Sequence, residues 1–368
     1  MKWSLTALVL AGMGLISGCA GSQSEPAQQH PAITEISINS RKLEEKKSWL
    51  YQQGVTTFGS EIEKVPLDFF KALKEKGFSN EDLVKAASLY EKITIDDLVH
   101  LYNLGFGSNF QAFVMEGGTV NYAEAYLAYG MKPSVIEIAK RNGFTAKESD
   151  MELIRRALLE YHWDWTFQNI TPEDQRKVLQ HDPNDHREVA VIIFPKHNPD
   201  QAFQIADHFY SHFISQYKTF VFEIATEEEL YKAIETVGKK HQISLLIDNG
   251  HGKSQQTVYS IHEKEPEKGM LDISDEKEMK KRGLAQYFTD DSKILALSCS
   301  NGAPSPPSNL LEMRSRVFSK SVVIGGTANF RIDNLKIDVN HPERLIEIYD
   351  DSGNNVTVYY QNGILLAK

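Results

Sequence analysis

Cysteine is nearly missing from this chain: two in 368 residues, Cys19 and Cys299. So few thiols exclude a disulfide scaffold, and stability has to come from packing. Long apolar runs are scarce too. The one extended stretch, Trp3 to Ile16, is too short to span a bilayer, and nothing downstream reaches the roughly 18 consecutive apolar residues that a spanning helix needs. Positive charge is in deficit, with 40 Lys and Arg against 50 Asp and Glu and a net charge of −10. That argues against nucleic acid or an anionic bilayer surface as a bulk electrostatic partner. What remains, 41% hydrophobic and 24% charged residues, is the composition of a globular protein and excludes disorder over most of the length.

The N-terminus reads as an export signal. Lys2 is a minimal positive region, Trp3 to Ile16 an apolar one, and Ile16-Ser17-Gly18-Cys19 resembles a bacterial lipobox cut before Cys19. Residues 1–18 are then a signal peptide and Cys19 is the lipidation site, its acyl chains holding the chain to a membrane. Ala20 after the cysteine resembles the outer-membrane sorting pattern more than the inner-membrane pattern with Asp, so the expected location is the bacterial envelope, facing the periplasm. A plain secretory signal with an incidental cysteine is the alternative. The mature chain of 350 residues would keep one thiol, Cys299, and has length enough for two domains.

Residues 19–39 read as a tether, rich in Ser, Gln and Pro without apolar periodicity. From 40 to 185 the pattern is helical. Leu67, Phe70 and Leu73 recur at helix spacing, as do Leu83, Ala87 and Tyr90, then Leu98, Leu101 and Tyr102. Gly77, Gly105, Gly117, Gly130 and Gly143 stand where left-handed helix stops belong, near multiples of 13 residues, which suggests a stack of short helices with some repeat character. Such a stack either binds a protein partner along a concave face or packs against its neighbour. The aromatic group His162-Trp163-Asp164-Trp165 is expected between domains.

Residues 186–368 read as an α/β domain. Val189 to Phe194 is a continuous apolar run suited to a strand covered on both faces. A helix with Ala202, Ala206, Phe209, Phe213 and Tyr217 on one stripe follows. Next come a strand at 220–224, a helix opened by the Thr226/Glu229 capping box, and a strand at 243–247. A helix over 276–288, a strand at 294–297, a helix capped by Asn309 and a strand at 322–324 complete the alternation, which implies a parallel sheet clothed by helices. The tail predicts a hairpin, Leu345 to Tyr349 against Val356 to Tyr360. The polar stretch 181–188 is the expected domain seam, and a fragment from 186 onward is expected to fold alone.

In a parallel sheet, sites form beyond the carboxyl ends of the strands. His251, within Gly250-His251-Gly252, follows the third strand, and Cys299 follows the fourth. If those strands are neighbours, imidazole and thiol face one crevice. A thiol of pKa roughly 8.5 is mostly protonated at neutral pH, and a nearby His accepts its proton. The two glycines leave room for a substrate backbone, and the N–H groups of Gly252 and Cys299 are candidates for an oxyanion hole. Asp248 either orients the imidazole, faces the pocket or caps the turn. Other readings are that Cys299 is a small buried hydrophobe and His251 a turn histidine.

Leu246-Ile247-Asp248-Asn249-Gly250-His251-Gly252 and Ala296-Leu297-Ser298-Cys299-Ser300-Asn301-Gly302 together resemble the caspase-like (clan CD) cysteine peptidases, the second segment being most similar to gingipain-like and CHAT-type bacterial members. In caspases the His lies about 50 residues upstream of the Cys; here the interval is 48. The resemblance covers about residues 188–330. It implies a caspase-like α/β domain that hydrolyses peptide bonds with Cys299 as nucleophile and His251 as acid and base, acting on a peptide or protein substrate without a cofactor. Some basic-specific relatives carry an Asp two residues before the nucleophile, where this chain has Leu297, so no specificity residue is assigned. The Ala303 to Pro307 loop is either a cleft wall or a processing site.

Weaker motifs exclude more than they suggest. Gly252-Lys253-Ser254 lacks the first glycine of a phosphate-binding loop. The 12 histidines show no zincin spacing, and His208 with His212 sit among Phe209 and Phe213 where packing explains them, so no metal is expected. Two alternatives to the peptidase remain: a non-catalytic envelope protein whose helical domain binds a partner, and acyl transfer other than proteolysis.

Overall fold

A strand with no polar alternation has to be covered on both faces, and all seven residues of Val189–Pro195 are buried. The structure is a computed structural model describing residues 31–56, 59–163, 169–196, 209–260, 266–337 and 346–367. Its strands in chain order are Val189–Pro195 (β1), Lys218–Ile224 (β2), Ile243–Asn249 (β3), His251–Lys253 (β4), Gln256–Val258 (β5), Met270–Asp272 (β6), Phe288–Leu297 (β7), Val322–Gly326 (β8), Leu335–Ile337 (β9), Ile346–Ile348 (β10), Thr357–Gln361 (β11) and Ile364–Ala367 (β12). Seven of them form one sheet in the order β12-β11-β8-β7-β3-β1-β2. The five from β8 to β2 are parallel, and β11 and β12 add an antiparallel edge. Helices Phe209–Gln216, Glu227–Gly238 and Leu310–Val317 pack against this sheet. The chain is therefore an α/β protein with a mostly parallel sheet, preceded by helices.

Local signals account for the helices. Thr226 accepts from the Glu229 N–H at 3.2 Å while the Glu229 carboxylate accepts from the Ala225 N–H at 2.6 Å, opening Glu227–Gly238. Asn309 opens Leu310–Val317 in the same way, accepting from the Glu312 N–H. In the N-terminal region, Gly77, Gly117, Gly130 and Gly143 all have positive φ. After Gly77, Gly130 and Gly143 the next residue is apolar, buried and bonded back to the preceding turn: Phe78 to Leu73, Met131 to Tyr126 and Phe144 to Ala139. This arrangement satisfies the last carbonyls of each helix and turns the chain into the next one.

Two expectations are corrected. Residues 31–39, assigned to the tether, belong to the helix Pro31–Gln52. The terminal hairpin forms only at its turn, where Tyr349 bridges Asn355 and the Val356 N–H donates to the Ile348 carbonyl; β10 pairs with β9, and β11 inserts between β8 and β12. The open edge of β8 has backbone groups to satisfy, and β11 does so. Leu345, Ala202, Ala206, His208, Asp164, Trp165, Cys19 and the leader lie outside the described residues.

The change of pattern near 186 is not a gap in the packing, because one apolar core runs from Leu50 through to Tyr360. The stretch before the expected seam covers the outer edge of β2. The Glu223 N–H donates to the Tyr161 carbonyl at 3.0 Å, Trp163 Nε1 donates to the Val221 carbonyl at 2.7 Å, and His181 Nε2 lies 2.7 Å from the Thr219 carbonyl. Among the described residues no helix is long and apolar enough to cross a membrane.

Candidate active site

β3 and β7 are neighbours, parallel, with Asp248 opposite Ala296 and Asn249 opposite Leu297. Two residues beyond that last register pair the chain reaches His251 on one strand and Cys299 on the other, so both leave the sheet at the same level. The two turns touch. A Cβ placed on Gly252 would lie 2.6 Å from Ser298 Cβ and 3.0 Å from the Cys299 carbonyl oxygen. His251 and Cys299 are each half-buried, and the thiol is free, with Sγ 3.6 Å from the Phe330 carbonyl oxygen.

The Cys299 turn is held from two sides. The Ser300 N–H donates to the Ala328 carbonyl at 3.1 Å and the Gly302 N–H to the Gly326 carbonyl at 2.9 Å, tying the turn to the end of β8. Ser300 itself has φ of 59°, a left-handed conformation uncommon for a residue with a side chain. On the other side Asn301 Nδ2 donates to the carbonyls of Lys253 and Gln256 at 2.7 and 3.1 Å, which joins the turn to the β4–β5 hairpin carrying His251. Those two acceptors fix the amide orientation, so Asn301 Oδ1 accepts, and the Thr257 hydroxyl 3.1 Å away must donate to it. That hydroxyl has one proton. It is shared with Ser298 Oγ, which accepts from Thr257 at 3.1 Å, and Arg314 Nη2 donates weakly to Thr257 Oγ1 at 3.4 Å.

Beneath this lies an ion pair with almost no access to solvent. Arg314 Nη2 is 2.5 Å from Asp248 Oδ2, and the Tyr259 hydroxyl donates to the same oxygen at 2.9 Å. Burial, with the Asp248 charge adding to it, pushes the Tyr259 phenol well above its ordinary range, so it stays a neutral donor. Burial alone would lower the Arg314 pKa; the Asp248 carboxylate and its hydrogen bonds outweigh this and raise it. Asp248 is thus engaged beneath the hairpin by Arg314 and Tyr259.

The glycines act differently from expectation. The space beside Gly250 is filled by Thr257 Cγ2, and that beside Gly252 by Ser298, Asn301 and the Cys299 backbone. Their missing side chains let the His hairpin close on the Cys turn rather than admit a substrate. The proline-rich loop is tied down as well, Gln255 Nε2 donating to the carbonyls of Pro306 and Ser308 at 3.0 and 3.2 Å. Sequence reasoning missed Arg314, Thr257, Tyr259 and Asn301. Arg314 carried a usable signal: it falls three and four residues after Leu311 and Leu310, on the buried stripe of its helix, where a cation requires a carboxylate.

Among the described residues no group of three or more His, Cys, Asp or Glu side chains is placed to hold a metal ion. The class defined by fold and site is an α/β protein with a free thiol and an imidazole at the carboxyl ends of adjacent parallel strands. The chain matches no family model, and no curated protein and no solved structure matches it.

Proposed function

We propose that this protein is a cysteine peptidase with a caspase-like catalytic domain, held to a bacterial envelope by lipid on Cys19. The observation that carries the reading is the parallel pairing of β3 with β7 up to Asn249 opposite Leu297, two residues short of His251 and Cys299 in two separate strand-end motifs. His251 removes the Cys299 proton and the thiolate attacks the scissile carbonyl carbon. The amine leaves with the proton carried by His251, and a thioester remains on Cys299. Water, deprotonated by His251, then releases the acid and restores the thiol. The Gly252 and Cys299 N–H groups are the donors proposed for the oxyanion.

Cleavage of a peptide library by the full chain tests this. Cys299→Ala and His251→Ala should each lower turnover by roughly a thousandfold or more, as losing one member of a catalytic unit does, with thermal midpoints nearly unchanged. Iodoacetamide should alkylate Cys299 near neutral pH, more slowly in His251→Ala. Cleavage that persists in Cys299→Ala would move the nucleophile elsewhere, and equal alkylation rates would rule out a working dyad.

A further inference from the structure

A cavity of about 530 Å³ lies where β2 begins and the helical region meets the sheet. It is at the amino end of the parallel strands, away from the carboxyl end that carries Cys299. Lys218, Phe220 and Phe222 alternate along β2 and so share one face of it. Tyr161, His181 and His241 line the cavity beside them. The walls are largely fixed: Phe222 and Tyr161 pack edge to face with centroids 5.2 Å apart, the His181 ring is 4.3 Å from that of Phe220, and His181 Nε2 is bonded to the Thr219 carbonyl.

Lys218 is the unusual member. The residue is 8% exposed, yet its ammonium makes no hydrogen bond or ion pair with a described residue. Among the described residues the other two buried cations are satisfied, Lys46 by the carbonyls of Glu63 and Val65 and Arg314 by Asp248. The acids nearby are otherwise engaged or exposed. Glu160 lies 3.6 Å from Arg156, Asp185 is clasped by Arg187, and Asp182 is exposed. An anion entering the cavity would give that ammonium the charge-assisted hydrogen bond it lacks.

We propose that this cavity binds a small amphipathic organic anion, its carboxylate or phosphate on Lys218 and its aromatic or aliphatic body among Phe220, Phe222 and Tyr161. The volume lies within the roughly 300–1,000 Å³ of small-molecule sites, which are mostly apolar with few placed polar groups. The inference is independent of the chemistry of Cys299.

Calorimetric titration of the full chain with 4-phenylbutyrate, phenyl phosphate and the neutral 4-phenylbutanamide tests it. At least one anion should bind, and the amide should bind about tenfold more weakly or worse, the usual value of a charge-assisted hydrogen bond. The preferred anion tells a carboxylate ligand from a phosphate one. Lys218→Met should weaken the anions by about tenfold or more and leave the amide unchanged. Equal binding of amide and anion, unchanged anion affinity in Lys218→Met, or no anion binding at millimolar concentration would each overturn the proposal.

Discussion

At the scale of single residues, the Asp248–Arg314 pair ties the strand that leads to His251 to the helix behind the Cys299 turn. Two charges with 0% and 2% side-chain exposure are stable together and costly apart. Arg314→Met should therefore destabilise the protein by about 3–5 kcal/mol, the effect of leaving one partner of a buried pair uncompensated. Asp248→Leu combined with Arg314→Met should recover most of that loss, because the double variant leaves no buried charge. Urea midpoints of the single and double variants decide this. A single variant as stable as the parent would mean that water reaches the pair.

At the scale of elements, β2 is an edge strand whose exposed backbone is covered by residues from the helical region. The Thr219 and Val221 carbonyls and the Glu223 N–H meet His181, Trp163 and Tyr161, and Phe222 packs on Tyr161. An uncovered apolar edge pairs with other chains. A fragment of residues 186–368 should accordingly aggregate, whereas one of residues 145–368, which keeps the helices Glu148–Leu159 and Pro172–Leu179, should be soluble and monomeric. Light scattering and circular dichroism distinguish the two. A monomeric 186–368 fragment melting within a few degrees of the full chain would show that residues 186–368 fold alone.

At the scale of the whole molecule, two sets of groups couple stability to pH. Burial lowers the pKa of His181 and His241, for which Lys218 adds a like charge to each. The unfolded chain takes up these protons below its own value near 6.5 while the folded chain resists, so stability falls as pH drops beneath 6.5 and through the lowered folded values. The carboxylates act further down. Hydrogen bonding to Arg316 holds Glu276 at about 2, against an ordinary 4.5, and hydrogen bonding to Arg187 holds Asp185 at about 2, against 3.8. Their contribution is complete above the unfolded values and is lost as pH falls toward 2. Urea midpoints measured against pH should decline in two stages. His181→Gln with His241→Gln should flatten the first and Glu276→Gln should reduce the second; a first stage that persists without both histidines would assign it to other groups.

Much of this was legible in one dimension. The apolar runs that became β1, β3 and the end of β7 could be read because segments covered on both faces must be apolar, and the helix starts at Thr226 and Asn309 because capping is a contact within four residues. His251 and Cys299 stood out because each closes such a run. The three-residue strands β4, β5 and β6 could not be read, since segments so short carry no period. Whether β3 lies beside β7, which partner β11 takes, and which cation meets Asp248 depend on contacts between residues far apart in the chain. Strand and helix propensities act between near neighbours, so the sequence by itself determined the long apolar strands and the carboxyl ends at which His251 and Cys299 stand; only the tertiary structure decided which ends meet, which short segments pair as strands and which buried charges are matched.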